Sequence, residues 1–260
     1  MAETQQESQL DTNWVIERVA SSPSTNVELL NRAMAGEVKA PFVLVADYQT
    51  AGRGRDNREW ITPPHGALTM SVLVNPHFPM ADWGLVPLWA GLACQKALIS
   101  LGFAARLKWP NDVLLPAGQP IARLGNWRKV GGILCQSAAH VGIVIGIGIN
   151  VTQTKLELPV PTATSLALNG SPPTVIELQD AILNELAALL NKWHSGVGLD
   201  MRRDYQKACI SIGSEVTVTD DAMGQVSGLA VGISAAGALL VRQSDGEVIE
   251  CHAGDLSLQV

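Results

Sequence analysis

Two short segments of the sequence combine cations, glycines and an acid in a way that suits chemistry on a phosphate. The first is Gly52-Arg53-Gly54-Arg55, with Arg58 and Trp60 shortly after it, and the second is Lys108-Trp109-Pro110-Asn111-Asp112. Glycines let backbone N–H groups approach an anion while guanidinium groups bind its oxygens. An Asn-Asp pair can hold a hydrated magnesium ion beside a nucleoside triphosphate. Together the two segments predict adenylylation.

Each segment alone also has a simpler interpretation. A loop rich in glycine and arginine is often a solvated turn or a nonspecific nucleic-acid contact. The second segment could be a strand that ends in a proline turn, with Asn111 and Asp112 supplying the turn geometry. Only the combination favours the chemical interpretation.

Charge and cysteine usage narrow the class of protein. A net charge of -6 over 260 residues argues against a general nucleic-acid binder. The basic residues are nevertheless clustered locally, which suits a small anionic ligand; the cluster comprises Arg53, Arg55, Arg58, Arg123, Arg128 and Lys129. The four cysteines lack metal-ligand spacing, which predicts reduced, buried thiols.

Targeting signals are not evident in the sequence. The N-terminal residues are polar and acidic, unlike a signal peptide, and no apolar run reaches membrane-spanning length without interruption. We therefore expect a cytoplasmic protein without a membrane partner.

Hydrophobic patterning predicts the elements that position the two segments. Apolar runs predict strands at residues 42–46, 67–74, 104–109, 113–115, 130–137 and 141–151. Helical periodicity predicts helices over 25–36, over 85–102, from 174 to 193 and near 201–209. Thr25 with Glu28, and Thr174 with Glu177, each have the spacing of a capping box.

The two ends of the chain differ from its middle. Residues 1–12 are polar and lack apolar periodicity, which predicts a disordered tail. From Ser214 onward, short alternating strands are separated by glycines and acids, as is typical of a small β-barrel.

Five blocks of the sequence follow in the order found in the biotin protein ligases, and the chain resembles that family over most of residues 21–260. The blocks are Ser24-Thr25-Asn26, Tyr48-Gln49-Thr50-Ala51-Gly52-Arg53-Gly54-Arg55, Lys108-Trp109-Pro110-Asn111-Asp112, Lys129-Val130-Gly131-Gly132-Ile133-Leu134 and Gly146-Ile147-Gly148-Ile149-Asn150. Five ordered blocks are far more specific than any single motif.

The resemblance implies an α+β fold. It has a catalytic domain with a mixed β-sheet and helices, of the kind shared by class II aminoacyl-tRNA synthetases and biotin ligases, and a small C-terminal SH3-like β-barrel. On this chain we expect a disordered tail over 1–12, a biotin- and ATP-binding catalytic domain over 13–210 and the barrel over 211–260.

The resemblance also implies a reaction, that of a biotin–[acetyl-CoA-carboxylase] ligase. Biotin and ATP are the substrates, with Mg²⁺ as the metal. The enzyme forms biotinyl-5'-AMP, releases pyrophosphate and transfers biotin to a lysine of a biotin carboxyl carrier protein or domain of a biotin-dependent carboxylase. About twenty residues precede Ser24, too few for a helix-turn-helix domain, so we expect a monofunctional ligase with no nucleic-acid partner.

The family's site residues carry over onto matching positions of this sequence. Biotin contacts are expected at Ser24, Thr25, Asn26, Gln49, Gly52, Arg53, Lys129, Gly131 and Gly132. ATP contacts are expected at Arg53, Arg55, Arg58, Trp60, Lys129 and Asn150. Lys129, Arg55 and Asp112 are the expected catalytic residues, and Asp112 with Asn111 is expected to orient magnesium. Ser24 and Thr25 could instead cap a helix, Gly131 and Gly132 could mark a β-bulge, and Trp60 could be a core residue.

Three features depart from the family pattern. Asp56-Asn57 occupy loop positions where family members often carry a basic residue and a glycine, and Asp56 subtracts positive charge from the loop. The stretch over residues 116–127 is longer than the usual short hairpin before the lysine, which leaves the placement of Arg123 and Arg128 open. Gln259 stands where some relatives carry an arginine near the nucleotide, so no nucleotide contact is assigned to the barrel.

Two other functions remain open at this point. A lipoate or octanoate protein ligase has the same fold and also uses a lysine-marked acyl site, but the two cationic segments are not expected there. A non-enzymatic biotin-sensing regulator belongs to a different class. The sequence reveals neither the carrier protein nor the oligomeric state.

Overall fold

A seven-stranded mixed sheet forms the framework of the larger part of the molecule. The computed structural model describes residues 13–75, 80–138, 140–194, 198–220 and 224–259, so the disordered tail expected over 1–12 lies outside the described residues. The strands are β1 (Val15–Val19), β2 (Phe42–Ala46), β3 (Ala67–Val74), β4 (Arg106–Lys108), β5 (Asp112–Ile121), β6 (Gly125–Ala138) and β7 (Gly142–Asn150). They lie in the order β1-β2-β3-β7-β6-β5-β4. Among these described strands, β1 and β2 pair in parallel and all other neighbours pair antiparallel.

Among the described residues, four α-helices cover the sheet: α1 (Thr25–Met34), α2 (Val86–Ser100), α3 (Val175–His194) and α4 (Gly198–Ala208). Helix α1 packs on one face, where its Leu29 contacts the cluster that includes Leu44 and Val144. Helix α2 contacts β4, β5 and β6 on the other side, as well as α3 and α4. Because α2 lies between the sheet and these two helices, it is buried around most of its circumference rather than on the single face that the periodicity predicted.

Strand β7 shows how the sequence separates the two faces of the sheet. Side chains alternate across a strand, and the isoleucines of β7 point into the core beneath α2 and α3; they are Ile143, Ile145, Ile147 and Ile149. Gly146 and Gly148 occupy the opposite face. That face of the sheet therefore has little side-chain cover, which leaves room for a cavity.

A second sheet is formed by the C-terminal segment. Its strands are β8 (Glu215–Asp220), β9 (Gly224–Ile233), β10 (Leu239–Arg242), β11 (Val248–Cys251) and β12 (Asp255–Leu258), in the order β11-β10-β9-β8-β12. All of its pairings are antiparallel. The predicted α+β class with a small C-terminal β-sheet unit is confirmed. The residue boundaries of the two domains stay a prediction.

Helices in the described ranges do not combine the length and the hydropathy that crossing a lipid bilayer requires.

Candidate active site

A cavity of about 610 Å³ lies over the glycine-bearing face of the large sheet. Its walls come from the start of α1, the loop after β2, strands β5 to β7, the segment after β7 and strand β12. Most of the residues predicted to form the site line it: Ser24, Thr25, Asn26, Gln49, Arg53, Arg55, Arg58, Trp60, Asn111, Asp112, Lys129, Gly132 and Asn150.

Two predicted site residues, Gly131 and Gly52, are not part of the lining. A Cβ on Gly131 would lie 2.3 Å from Ile149 Cδ1 and 2.6 Å from the carbonyl oxygen of Gly148, so this glycine allows β6 and β7 to approach each other. A Cβ on Gly52 would lie 2.4 Å from the carbonyl oxygen of Trp60. Gly52 therefore closes the loop rather than facing the cavity.

One end of the cavity is polar but uncharged. The backbone N–H of Thr25 donates to Gln49 Oε1 at 2.8 Å, and the Thr25 hydroxyl lies 3.1 Å from the same oxygen. The Ser71 hydroxyl lies within hydrogen-bond distance of both Thr25 Oγ1 and Asn26 Oδ1. These groups can donate to and accept from a neutral, hydrogen-bonding ligand.

The capping box predicted at Thr25 and Glu28 is wrong. The N-cap of α1 is Ser24, which makes no side-chain capping bond, and Thr25 is the first helical residue. Its hydroxyl turns to Gln49, while the carboxylate of Glu28 accepts from Ser22 at 2.6 Å. The side chains of Thr25 and Glu28 therefore bind tertiary partners, Gln49 and Ser22, and do not cap the helix.

Asn26 is held on several sides. Its Nδ2 donates to Gln136 Oε1 at 2.7 Å and to the carbonyl of Leu134 at 3.2 Å. A Cβ on Gly146 would lie 2.6 Å from Asn26 Oδ1. Neither Ser71 nor Gln136 was predicted from the sequence, although a serine within the apolar run of β3 is a signal for a buried polar network.

Trp60 lies against the bare part of the sheet. Gly132 and Gly148 are cross-strand partners in β6 and β7. A Cβ on Gly148 would lie 2.6 Å from Trp60 Cε2, and one on Gly132 would lie 3.7 Å from Trp60 Cζ3. Lys129 Nζ is 5.9 Å from the centroid of the Trp60 ring, within the range of a cation–π contact.

The other end of the cavity is strongly charged, and at its centre two lysines share one carboxylate. Asp112 Oδ1 is 2.6 Å from Lys129 Nζ, and Asp112 Oδ2 is 3.1 Å from Lys108 Nζ. The backbone of Lys129 is fixed as well, since its N–H donates to the carbonyl of Thr162 and its carbonyl accepts from Thr164, both at 2.8 Å. Lys108, for which the sequence predicted no separate role, thus belongs to the site.

The pKa of Asp112 reflects this pairing. Burial by itself would raise the pKa, but the positive charges of Lys108 and Lys129 outweigh burial and lower it to about 2. Asp112 is therefore ionised at neutral pH, and a carboxylate with so low a pKa is a weak general base.

The arginine loop, residues 52–60, closes on itself through backbone hydrogen bonds. The N–H of Gly54 donates to the carbonyl of Arg58 at 2.7 Å, and the N–H of Trp60 donates to the carbonyl of Gly52 at 2.9 Å. The guanidinium of Arg58 forms an ion pair with Asp255 of β12. The C-terminal sheet therefore reaches the cavity wall, where Gly254, Asp255, Leu256 and Ser257 lie.

Known families account for both parts of this architecture. The model of the biotin/lipoate A/B protein ligase family matches residues 15–150, and that of the biotin protein ligase C-terminal domain matches residues 211–258. The chain belongs to the biotin/lipoate A/B protein ligase family. The first match spans the uncharged end of the cavity, the arginine loop and the three-residue ion cluster of Lys108, Asp112 and Lys129.

Relatives within the biotin/lipoate ligase family support this assignment. The chain is 34% identical over 243 residues to the biotin–[acetyl-CoA-carboxylase] ligase of Mycobacterium tuberculosis, covering 92% of this chain and 86% of that protein. It is 37% identical to the bifunctional ligase/repressor BirA of Escherichia coli, but over only 47% of this chain and 36% of that protein. The structure of the Aquifex aeolicus biotin protein ligase in complex with biotin and ATP superposes with a TM-score of 0.77 at 29% identity, covering 94% of this chain and 98% of that one.

Asn150 has an anchoring role in this member of the biotin/lipoate ligase family. Its Nδ2 donates to the carbonyl of Thr164, and its Oδ1 accepts from Gln153 Nε2, both at 2.9 Å. These bonds hold the segment after β7, whose residues Thr162 and Ala163 line the cavity.

Among the described residues, groups of three or more His, Cys, Asp or Glu side chains that could hold a metal ion are absent. Both carboxylate oxygens of Asp112 face ammonium groups, and Asn111 Nδ2 donates to the carbonyl of Ile133 at 2.8 Å. This donor set does not form a metal centre by itself, so a magnesium ion would need most of its oxygen ligands from phosphates and water.

Proposed function

We propose that this protein is an ATP-dependent biotin–protein ligase. It joins biotin to AMP with release of pyrophosphate, and it then transfers the biotinyl group to a lysine of a biotin carboxyl carrier domain. The observation that carries this proposal is the cavity, which has an uncharged hydrogen-bonding end, an apolar middle and a cationic end in which Lys129 is fixed.

Biotin suits the first two of these regions. Its ureido ring is neutral and needs several hydrogen bonds, which Thr25 and Gln49 can supply together with Ser24 and the backbone near Arg53. Its bicycle and valeryl chain are apolar and suit the glycine face at Gly132 and Gly146. This arrangement directs the carboxylate of biotin toward the cationic end.

The first step unites two anions. A carboxylate oxygen of biotin attacks the α-phosphorus of ATP, a new P–O bond forms, and the bond to the pyrophosphate leaving group breaks. Preorganised cations stabilise the charge that develops in this transition state. Lys129 and Arg55 are assigned this role, and Arg53 and Arg58 bind the phosphates.

Asp112 acts by holding the cations. Its two ion pairs place the ammonium group of Lys129 in the cavity before substrate arrives, and a preorganised charge needs little reorganisation during the reaction. The magnesium assignment to Asp112 and Asn111 stays a prediction, and no step of the mechanism depends on it.

Adenine is assigned to the region of Trp60 and Asn150. The Trp60 ring offers an apolar surface against the glycine pair of β6 and β7, and aromatic rings stack well on bases. Asn150 would act through the segment after β7 that it holds.

The second step transfers the biotinyl group. The amine of the carrier lysine attacks the acyl carbon of biotinyl-AMP, the C–N amide bond forms, and AMP leaves. The low pKa of Asp112 makes it a poor acceptor for the amine proton, so we assign that proton to solvent or to the leaving phosphate.

Lipoate or octanoate ligation is the second candidate, because the family model covers lipoate ligases as well. Two observations favour biotin. The C-terminal segment matches the biotin protein ligase C-terminal domain, and the uncharged polar lining at Thr25 and Gln49 suits a ureido ring better than a hydrocarbon acyl chain.

Transfer to a carrier domain tests the proposal. The purified protein with biotin, ATP and Mg²⁺ should add one biotinyl group to a biotin carboxyl carrier domain, measured by intact-mass spectrometry. A carrier whose acceptor lysine is replaced by arginine is the matched control and should remain unmodified. If the intact carrier also stays unmodified, or accepts lipoate instead, the proposal is wrong.

A further inference from the structure

The long hairpin between β5 and β6 reaches the C-terminal sheet. Ile121 and Gly125 are the last paired residues before its tip. At the tip, the carbonyl of Arg123 accepts from the N–H of Leu258 in β12 at 3.0 Å, and Leu124 is only 7% exposed. The tip is therefore fixed on both sides, by a buried leucine and by a bond to another sheet.

The two arginines of the hairpin are used differently. Arg128 donates to carbonyls of the hairpin itself, at Gly125, Trp127 and Gln119. Its guanidinium thus stabilises the hairpin. Arg123 instead lines the cavity, is exposed and, among the described residues, has no carboxylate within ion-pair distance.

The backbone of Arg123 is an unusual place for a long side chain. Its φ of 71° lies in the left-handed region, which favours glycine or asparagine. Local backbone geometry therefore does not favour an arginine at this position. The property of Arg123 that needs an explanation is its positive charge beside the cavity.

The cavity has more positive than negative charge, although the protein as a whole is acidic. Among the described residues that line it, six side chains are cationic and three are carboxylates: Arg53, Arg55, Arg58, Lys108, Arg123 and Lys129 against Glu59, Asp112 and Asp255. Two carboxylates are already committed, Asp112 to the lysines and Asp255 to Arg58. Cations within about one Debye length of each other repel. A bound polyanion would lower this electrostatic repulsion.

Strand β12 brings Arg123 close to the arginine loop. Asp255 binds Arg58, and Leu258 binds the backbone of Arg123. These two residues are three positions apart in one strand, a separation of roughly 10 Å. Arg123 of the hairpin and Arg58 of the arginine loop thus lie in the same region of the cavity.

We propose that Arg123 contacts the terminal phosphates of ATP and becomes a contact of the pyrophosphate leaving group, so that the long hairpin of this chain forms part of the nucleotide site. The proposal rests on the proposed function. Lys129 and Arg55 serve the reacting α-phosphate, and Arg123, exposed at the rim, binds the phosphates farthest from biotin.

Replacement of Arg123 tests this. Because a charge-assisted hydrogen bond to phosphate is lost, Arg123→Gln should raise the KM for ATP about tenfold in pyrophosphate exchange and leave the KM for biotin within about twofold. Arg123→Lys should recover part of the loss. The matched control is Arg106→Gln in β4, an exposed arginine outside the cavity, which should leave both constants unchanged.

A second measurement separates phosphate binding from a structural effect. Transfer from preformed biotinyl-AMP to the carrier should be unchanged in Arg123→Gln, because the adenylate has no terminal phosphates. A damaged hairpin would lower this rate and the melting temperature as well, and that result would overturn the proposal. An unchanged KM for ATP, or a raised KM for the carrier domain alone, would also overturn it.

Direct binding keeps this test independent of the proposed function. If the wild-type protein showed no biotin-dependent exchange, the proposed function would fail, but calorimetric titration with inorganic tripolyphosphate would still report on Arg123. Weaker tripolyphosphate binding by Arg123→Gln than by Arg106→Gln supports the phosphate contact, and equal binding contradicts it.

Discussion

Lys129 Nζ lies 2.6 Å from Asp112 Oδ1, while the other oxygen of the same carboxylate binds Lys108. One carboxylate thus forms ion pairs with two buried or half-buried cations, and the lysine assigned to catalysis is held in place before any substrate binds.

Lys129→Ala should lower the rate of biotinyl-AMP formation by roughly two to three orders of magnitude, as expected when a charge that stabilises the transition state is lost. The fold should survive because Asp112 keeps Lys108 as a partner. Single-turnover kinetics measure the rate. The control is Lys39→Ala, which replaces an exposed lysine outside the cavity. A near-normal rate would reduce Lys129 to a solvated charge.

Acid should weaken the fold through Asp112. Its pKa is lowered from 3.8 to about 2 in the folded protein, so its contribution to stability is complete above about pH 5 and declines as the pH falls through 4 toward 2. That contribution is about 2 kcal/mol in total, of which about half is lost between pH 5 and pH 3. Urea unfolding at both pH values measures the difference, and Asp112→Asn should lack this part of the pH dependence. Equal pH dependence in both proteins would show that the ion pairs do not form.

Two threonines with the same sequence context should behave differently. Thr174 forms the predicted capping box with Glu177, so Thr174→Ala should lower the free energy of unfolding by about 1 kcal/mol and leave the KM for biotin unchanged. Thr25 contacts Gln49 instead. Thr25→Ala should therefore raise the KM for biotin several-fold, as expected when the free energy of one hydrogen bond is lost. Biotin titration and denaturation of both variants check this, and an exchange of the two outcomes would refute the assignment.

The adjacent glycines of β6 should also separate stability from activity. Gly131→Ala places a Cβ 2.6 Å from a backbone carbonyl oxygen and should destabilise the fold by roughly 1–3 kcal/mol. Gly132→Ala places one 3.3 Å from Cε and Nζ of Lys129, so it should displace the lysine and lower the adenylation rate with little change in melting temperature. Calorimetric melting and single-turnover rates distinguish the two variants. Equal effects of both substitutions would argue against Gly131 and Gly132 lying on opposite faces of β6.

Continuous apolar runs were sufficient to predict the central strands. The bounds predicted for β2 and β3 agree with the structure, because fully buried strands have few polar residues to obscure the pattern. Strand β1 was missed. Its sequence contains Glu17 and Arg18, and its side chains are mostly exposed or half-buried, since it lies at the sheet edge and pairs only with β2.

Tertiary partners account for what local sequence could not predict. The Thr-x-x-Glu pattern occurs at Thr25 and at Thr174, and only the presence of Gln49 decides that the first is not a cap. The role of Lys108 depends on strand register, because β4 and β5 pair Lys108 directly with Asp112. The participation of Asp255 depends on how β12 meets the arginine loop.

Exchange of labelled pyrophosphate into ATP tests the central claim most directly, because it reports adenylate formation without a carrier protein. Biotin should drive exchange by the wild-type protein, lipoate and octanoate should not, and Lys129→Ala should lower the biotin-dependent rate by at least two orders of magnitude. Exchange driven by lipoate or octanoate but not by biotin, or no exchange with any of the three acids, would contradict the account.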